Sequence, residues 1–176
     1  MTDERITKTS VRMVPELSEQ ETSRLFGWSA DPFEMARFGL RWRPKDVHFL
    51  LDVDGEPACH VGLLPHTVRV GRLPIAVAGI GGVVTVPDAR GRGHARTLLR
   101  HALDFVARTW HVDAGLLFCL PRMVPYYARL GWFVVEREVT IDQEFGPTPS
   151  PVPVMVLPMS DLDWPDDLVR LESLPW

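Results

Sequence analysis

The segment VVTVPDARGRGHARTLL, residues 83 to 99, constrains the fold of this chain more than any other. A β-branched run ends at Pro87, Gly91 and Gly93 stand among arginines, and apolar residues then recur at helical spacing. The segment therefore predicts a buried strand that passes through a glycine-rich loop into a helix over residues 92 to 109.

A glycine-rich loop at the start of a helix is a candidate anion site. The first turn of a helix exposes free N–H groups, and the helix dipole adds partial positive charge there. Gly91 and Gly93 would let a phosphate approach the backbone, and the arginines add forked donors. The alternative is a tight turn with solvated arginines. A G-x-x-x-x-G-K-[ST] motif does not occur, and residues 79–84 lack the last glycine of a dinucleotide-binding fingerprint.

Composition narrows the function classes. The chain of 176 residues, 45% hydrophobic, is consistent with a single domain over residues 1–176. Its formal net charge of -4 argues against nucleic-acid binding. Two cysteines exclude a disulfide framework, and the charged amino end lacks an apolar leader, so we expect a cytoplasmic protein. The apolar run over residues 73–86 is too short for a membrane helix, and the histidines form no ligand cluster, so we expect neither a membrane nor a metal partner.

The order of predicted elements gives the fold class. We expect a strand and a helix over residues 11–28 with Ser18 or Thr22 as the cap, a second helix over 31–42, and three sequential antiparallel strands over 45–86. After the long helix come a strand at GLLFCL, a short helix ended by Gly131, a strand at FVVE, and an edge strand at VMVLPM within the Pro-rich, acidic residues 146–176. This combination of antiparallel pairing and a β-α-β crossover is typical of an α+β, or mixed α/β, fold.

Two motifs resemble landmarks of the GNAT N-acetyltransferases. VPDARGRGHA resembles the family's acyl-CoA motif, with Arg90, Gly93 and Ala95 at its positions. YYARLGW resembles the second landmark, a tyrosine, Tyr127, four residues before a Gly-aromatic pair. The resemblance implies a GNAT fold, in which a mostly antiparallel, splayed sheet is flanked by helices. It also implies direct acetyl transfer from acetyl-CoA to an amine in a ternary complex, with CoA as the product.

The resemblance also implies site residues. The strand backbone at Val83, Val84 and Thr85 would bind the pantetheine arm, and the amide of Val84 would stabilise the oxyanion. The pyrophosphate would lie in the loop formed by Arg90, Gly91, Arg92, Gly93, His94, Ala95 and Arg96. Tyr127 would be the general acid. Because a phenol has a pKa near ~10 and a thiol near ~8.5, its help is modest unless the site lowers the phenol pKa.

The resemblance leaves the general base open. Many relatives carry a glutamate on the strand before the motif, and Gly81 stands about where it would be. His66 and His60 share one strand face because their separation is even, so both are candidates. The other candidates are Asp113, His111, Glu34 and water without a dedicated protein base.

The acceptor is suggested by the acidic residues 160–176, which would attract a polycation. A solvated tail closed by one packed aromatic residue is the alternative. This end of the chain, with YYARLGW, is similar to aminoglycoside 2'-N-acetyltransferases, including the kasugamycin-modifying kind. That resemblance implies an aminoglycoside antibiotic whose ammonium groups meet Asp31, Glu34 and the carboxylate of Trp176, beside Gly81. On the first interpretation of the tail, the Trp176 indole would stack on a sugar or ring of the substrate. Another small-molecule or peptide amine, a longer acyl donor, a non-catalytic acyl-CoA-binding module and a homodimer stay open.

Overall fold

The computed structural model describes residues 7–176, which form a curved mixed sheet with three α-helices. The elements in chain order are β1 (Thr9–Val14), α1 (Glu19–Phe26), β2 (Val47–Val53), β3 (Glu56–Val70), β4 (Leu73–Thr85), α2 (His94–Thr109), β5 (Ala114–Phe118), α3 (Val124–Ala128), β6 (Phe133–Val134), β7 (Val139–Gln143), β8 (Gly146–Pro149), β9 (Val154–Pro158) and β10 (Val169–Arg170). None of the helices in the described chain has the length and apolar character needed to cross a membrane.

The sheet combines a meander with one crossover. Strands β1 to β4 pair antiparallel in sequence order, and α2 carries the chain from β4 to the parallel neighbour β5. On the far side of β5 lie β9 and β6, while the distal end of β3 continues through β10 to β7 and β8. The predicted α+β class and the mostly antiparallel sheet are confirmed.

Strands β4 and β5 pair only over part of their length. Their register runs from Val77–Ala114 to Ile80–Leu117, after which β4 continues along β3 to Thr85 while β5 follows β9. The two strands separate beyond Ile80, and we call this opening the splay. The predicted splayed sheet is therefore present, at the strand that precedes the glycine-rich loop.

A bulge in β4 lies beside the splay. Between Gly81 and Val84, β4 holds one residue more than the facing stretch of β3, and Gly82 adopts a left-handed φ of 60°. The buried His60 ring lies with Nδ1 2.6 Å from the Gly82 carbonyl oxygen, so Nδ1–H donates to it. His60 Nε2 then accepts from His48 Nδ1, 2.8 Å away. A chain of two hydrogen-bonded histidines thus supports the bulge.

The sheet faces are covered by different elements. Leu50 packs with α1, whereas Phe49 and Leu51 pack with α2 on the opposite face, as strand alternation requires. Ser18 is the N-cap of α1 and forms a capping box with Glu21, so Ser18 is confirmed as the cap.

The predicted helix over residues 31–42 is wrong. Only Ala36–Phe38 forms a 3-10 turn. The Asp31 carboxylate accepts from the N–H groups of Met35 and Ala36 and so closes a turn. Glu34 has a φ of 55°, which a right-handed helix does not permit.

Two further elements differ from the sequence prediction. Helix α2 begins at His94 rather than at residue 92, because Gly93 has a φ of 77° and is the N-cap. The predicted edge strand VMVLPM forms β9, which is an interior strand because it pairs with β5 on one side and β6 on the other. Pro153 precedes β9, and Pro158 is its last residue, opposite Ala114 at the end of the β5–β9 pairing.

Substitution of Gly79 tests the packing of Trp176 on the sheet. A Cβ at Gly79 would overlap the buried Trp176 indole, so we expect Gly79→Ala to cost about 1–3 kcal/mol in urea unfolding. In a Trp176→Ala background the same substitution has space, and its cost should fall close to zero. An equal cost in both backgrounds would show that the indole does not occupy this position.

The His48–His60 chain predicts a pH-dependent stability. Burial lowers the pKa of His60 from the ordinary 6.5 to about 4, and burial also lowers the pKa of His48. The unfolded chain therefore binds more protons between these values, so unfolding free energy should fall as pH drops from about 6.5 to 4, by up to about 3 kcal/mol for His60. Urea unfolding at several pH values gives the unfolding free energy as a function of pH. The slope of this free energy against pH should be smaller for His60→Gln, and it should be unchanged for the exposed control His101→Gln. An equal slope in all three proteins would contradict the assignment.

Candidate functional site

A cavity of about 510 Å³ opens at the splay. Its floor comes from the diverging strands, through Ile80–Val83 of β4 and residues 117–120 at the end of β5. Tyr127 of α3 and Trp176 form opposite walls. The cavity thus reaches both faces of the sheet at the point where β4 and β5 separate.

Residues 31–36, the rim segment, lie over the cavity. Asp31, Phe33 and Met35 line it, and both Asp31 carboxylate oxygens accept from backbone N–H groups within the segment. Glu34 instead pairs with Arg122, which itself lines the cavity. The structure therefore brings Asp31 to the cavity, and it ties Glu34 to the turn before α3.

Trp176 is inserted into the sheet rather than exposed. Its indole lies over Gly79 and against Phe118 and His66, and its Nε1 donates to the Leu116 carbonyl at 3.1 Å. The main-chain carboxyl carbon of Trp176 lies 2.9 Å from the Cβ position of Gly81. The indole therefore packs on the chain's own sheet and does not stack on a substrate ring, contrary to the expectation from the sequence. The main chain of Trp176 reaches the cavity.

Lys45 also lies over Gly81, and the sequence analysis missed it. Gly62 of β3 and Gly81 of β4 are direct cross-strand partners, and the Lys45 side chain crosses both. Lys45 lines the same cavity, and its Nζ donates to the Arg43 carbonyl at 3.4 Å. Burial lowers the pKa of Lys45 to about 8. No local motif marks this lysine, because its position depends on two glycines distant in sequence.

Tyr127 and Cys119 line the side of the cavity that faces α2 and α3. Burial raises the pKa of the Tyr127 phenol above its ordinary range, so the phenol stays protonated. Burial also raises the pKa of the Cys119 thiol to about 11, so the thiol is neutral near pH 7. Tyr127 can therefore donate a hydrogen bond into the cavity, but its raised pKa makes full proton transfer to a thiolate harder.

The glycine-rich loop presents an open N-terminus of α2. Gly91 and Gly93 have φ values of 76° and 77°, and nothing lies within 4 Å of a Cβ at either position. Gly93 caps α2 without a side-chain hydrogen bond, and Arg92 and Arg96 are exposed. Arg90 instead donates from Nε to the Thr85 carbonyl at 3.0 Å and lies over the Trp28 ring. His94 has a buried Nε2 without a partner, and Ala95 packs on the core.

The three residues of the predicted cofactor strand lie at the end of β4 and have different surroundings. Val83 lines the cavity, while the Val84 side chain is buried towards α1 and Thr85 donates to the Cys59 sulfur at 3.4 Å. Gly81 lines the cavity as well, and Gly82, which the sequence analysis did not single out, lies between them.

The predicted base candidates lie away from the cavity lining. His66 donates from Nε2 to the Leu171 carbonyl at 2.7 Å, and its Nδ1 lies 3.3 Å from Arg43 Nη1. His60 supports the bulge through both ring nitrogens. Asp113 accepts from Ala76 N at the far end of β5, and the exposed His111 precedes it. Within residues 7–176, no three His, Cys, Asp or Glu side chains converge as a metal site.

Solved structures with a similar fold come from several bacteria. The chain superimposes on YhbS from Escherichia coli, a GNAT family N-acetyltransferase crystallised with CoA, with a TM-score of 0.61 at 17% identity over 93% of this chain and 89% of that chain. ElaA from Escherichia coli gives 0.58 at 16% identity over 85% and 99%. A GNAT acetyltransferase from Brucella melitensis, in complex with acetyl-CoA, gives 0.55 at 17% over 91% and 94%. These similarities establish a shared fold.

No curated protein matches the chain in sequence. A family model described as an acetyltransferase (GNAT) domain matches residues 19–135, which include α1, strands β2 to β4, the glycine-rich loop, the splay and Tyr127. Since this match covers more than half of the chain, the chain belongs to the GNAT family of acetyltransferases.

Proposed function

We propose that the protein is an acetyl-CoA-dependent N-acetyltransferase that acts on an amino group of a small molecule held in the cavity. The observation that carries the proposal is the splay, which lies between the open N-terminus of α2 and a cavity large enough for a small acceptor. The related YhbS and Brucella melitensis proteins were crystallised with CoA and acetyl-CoA, which supports the same donor here.

The glycine-rich loop supports the assignment of the donor's pyrophosphate to residues 90–96. The free amides of the first turn of α2 and its dipole favour an anion, and the positive φ of Gly91 and Gly93 leaves the backbone accessible. Arg92 and Arg96 add charge, while Arg90 fixes the loop to the end of β4. In the proposal the pantetheine arm then follows Val83–Thr85 to the splay.

The acetyl transfer requires a neutral acceptor amine, hydrogen bonds to the developing oxyanion, and a proton for the departing sulfur. In the proposal the backbone amide of Val84 donates to the oxyanion. Tyr127, a protonated phenol on the cavity wall, donates a hydrogen bond to the sulfur. Because Tyr127 has a raised pKa, its contribution is stabilisation of the sulfur rather than early proton transfer.

The proposed acceptor is an aminoglycoside-type amine, kasugamycin included, as the sequence resemblance implies. Asp31 lines the cavity and supports the binding of one ammonium group there, and the main-chain oxygen of Trp176 over Gly81 is a second acceptor on the cavity wall. Lys45 and Arg122 line the same cavity, so further ammonium groups of a polycation have to remain outside it. The other candidate is an amine on a flat apolar body, because Phe33, Trp42 and Phe118 line the walls.

Substitution of Gly93 tests the pyrophosphate site. Alanine at a φ of 77° is strained and crowds the anion site, so we expect Gly93→Ala to raise KM for acetyl-CoA about tenfold. S-acetylpantetheine lacks the pyrophosphate, and its kcat/KM should be the same for both proteins. Gly55→Ala is a matched control, since Gly55 has a φ of 89° with open space but lies in the β2–β3 turn. Equal losses with both donors would contradict the assignment.

A panel of amines tests the acceptor. Free thiol release from acetyl-CoA should rise with kasugamycin or another aminoglycoside, and Tyr127→Phe should lower kcat by about 10-fold to 100-fold with little change in acetyl-CoA affinity. Aromatic monoamines in the same panel test the second candidate. Acceleration by aromatic monoamines alone would overturn the aminoglycoside assignment. Tight acetyl-CoA binding in calorimetry without thiol release from any amine would identify a binding module instead.

A further inference from the structure

We propose that Lys45 is the general base of this acetyl transfer, and that its neutral Nζ takes a proton from the ammonium group of the acceptor. The inference rests on the proposed function and adds a catalytic residue to it. It fills the position left open by Gly81, where the family resemblance places a glutamate in many relatives.

The geometry begins with the glycine pair. A Cβ at Gly81 would stand 2.6 Å from Lys45 Cε, and a Cβ at Gly62 would stand 3.0 Å from Lys45 Cβ. Any larger side chain at either position would displace the lysine from the sheet. The two glycines therefore create a channel across β3 and β4, and the lysine side chain follows it to the cavity at the splay.

The surroundings of Nζ favour a neutral amine. Nζ donates a long hydrogen bond to the Arg43 carbonyl, and Lys45 forms no ion pair with any of residues 7–176. Burial is the cause that lowers the pKa of Lys45 to about 8. A substantial share of the lysine is therefore neutral in the range where acceptor amines are still charged. A base is most effective when its pKa lies near the working pH.

The other titratable groups that face Lys45 are committed elsewhere or carry the wrong charge. They are Arg43 of its own segment, His48 of β2, His60 of β3, and Asp31, Cys119, Arg122 and Tyr127 around the cavity. The histidines bond to each other and to Gly82, and the arginines stay cationic. Burial raises the pKa of Cys119 and of Tyr127, so both stay protonated.

The acidic side chain of Asp31 lines the cavity together with Lys45. Both of its oxygens accept backbone N–H groups within the rim segment. In the proposal the Asp31 carboxylate holds the acceptor's ammonium group in the cavity. Lys45 then has the available lone pair for the proton.

The proton balance is closed. The acceptor ammonium gives one proton to Nζ, and the resulting amine attacks the thioester carbonyl of acetyl-CoA. The carbon–sulfur bond breaks, and the nitrogen of the addition product loses its second proton to the departing sulfur, which leaves as the thiol of CoA. Lys45 returns its proton to water, so the overall products are the amide, CoA and one proton.

The test is the pH dependence of kcat/KM with two acceptors whose amines differ in pKa. In the unsubstituted protein kcat/KM should rise with pH through a midpoint near pH 8 with both acceptors, because the neutral lysine is the active form. It should fall again only above the pKa of each acceptor amine, because the charged amine is the form that gives its proton to Nζ. Lys45→Met should lower kcat about 10²-fold to 10⁴-fold, and its remaining pH dependence should follow the amine of each acceptor. Lys45→Arg places a cation without a usable lone pair at the same position. Its kcat should therefore fall by the same factor as in Lys45→Met, and its KM should stay close to that of the unsubstituted protein.

A second variant separates loss of the base from loss of the fold. Lys45→Cys should be inactive and should regain activity after alkylation with 2-bromoethylamine, which rebuilds an amine at the same place. The thioether makes that amine less basic, so the rise with pH should move to lower pH. The unsubstituted protein treated in the same way controls for alkylation of Cys119 and Cys59, and acetyl-CoA affinity should be equal in all variants.

The outcomes separate the two proposals. Absence of thiol release in the unsubstituted protein with every amine would overturn the proposed function. Turnover in the unsubstituted protein, with kcat and the rise with pH retained in Lys45→Met or Lys45→Arg, would overturn the role of Lys45 alone. Restored activity of alkylated Lys45→Cys, with the shifted pH dependence, would support it.

Discussion

The separation of β4 from β5 after the Ile80–Leu117 pair is the constraint on which the other features of the site depend. It opens the backbone of β4 at its bulge, and it lets the cavity reach both faces of the sheet. The bulge is maintained by His60, whose Nδ1–H donates to the Gly82 carbonyl. A neutral, buried histidine therefore holds the shape of the strand that the donor is proposed to follow.

Glycines on β3 and β4 give the acceptor side its form. Gly79 admits the indole of Trp176, and the Gly62–Gly81 pair admits Lys45. Side chains from two distant segments thus occupy the sheet face beside the splay. In our proposal the amine of Lys45 supplies the titratable group at this position.

The parts of the fold that local pattern determines could be predicted from the sequence. The apolar spacing of α2, the three-strand meander and the glycine-rich loop each depend on residues close together in the chain, and the structure contains all of them. Tyr127 was found through a short motif, and it lines the cavity. Asp31 was also found, but its carboxylate closes a turn instead of starting a helix, because Glu34 has a positive φ.

The remaining site features depend on contacts between distant segments. Lys45 carries no periodic signal, and its position follows from two glycines on neighbouring strands. His66 has the residue type of a base, but its partners, Leu171 and Arg43, become neighbours only in the folded chain. The direct test of the account is a crystal structure with CoA and a turned-over acceptor. We predict the CoA sulfur in the splay beside Gly82 and the acceptor nitrogen within hydrogen-bond distance of Lys45 Nζ. A sulfur outside the splay, or an acceptor nitrogen remote from Lys45, would contradict it.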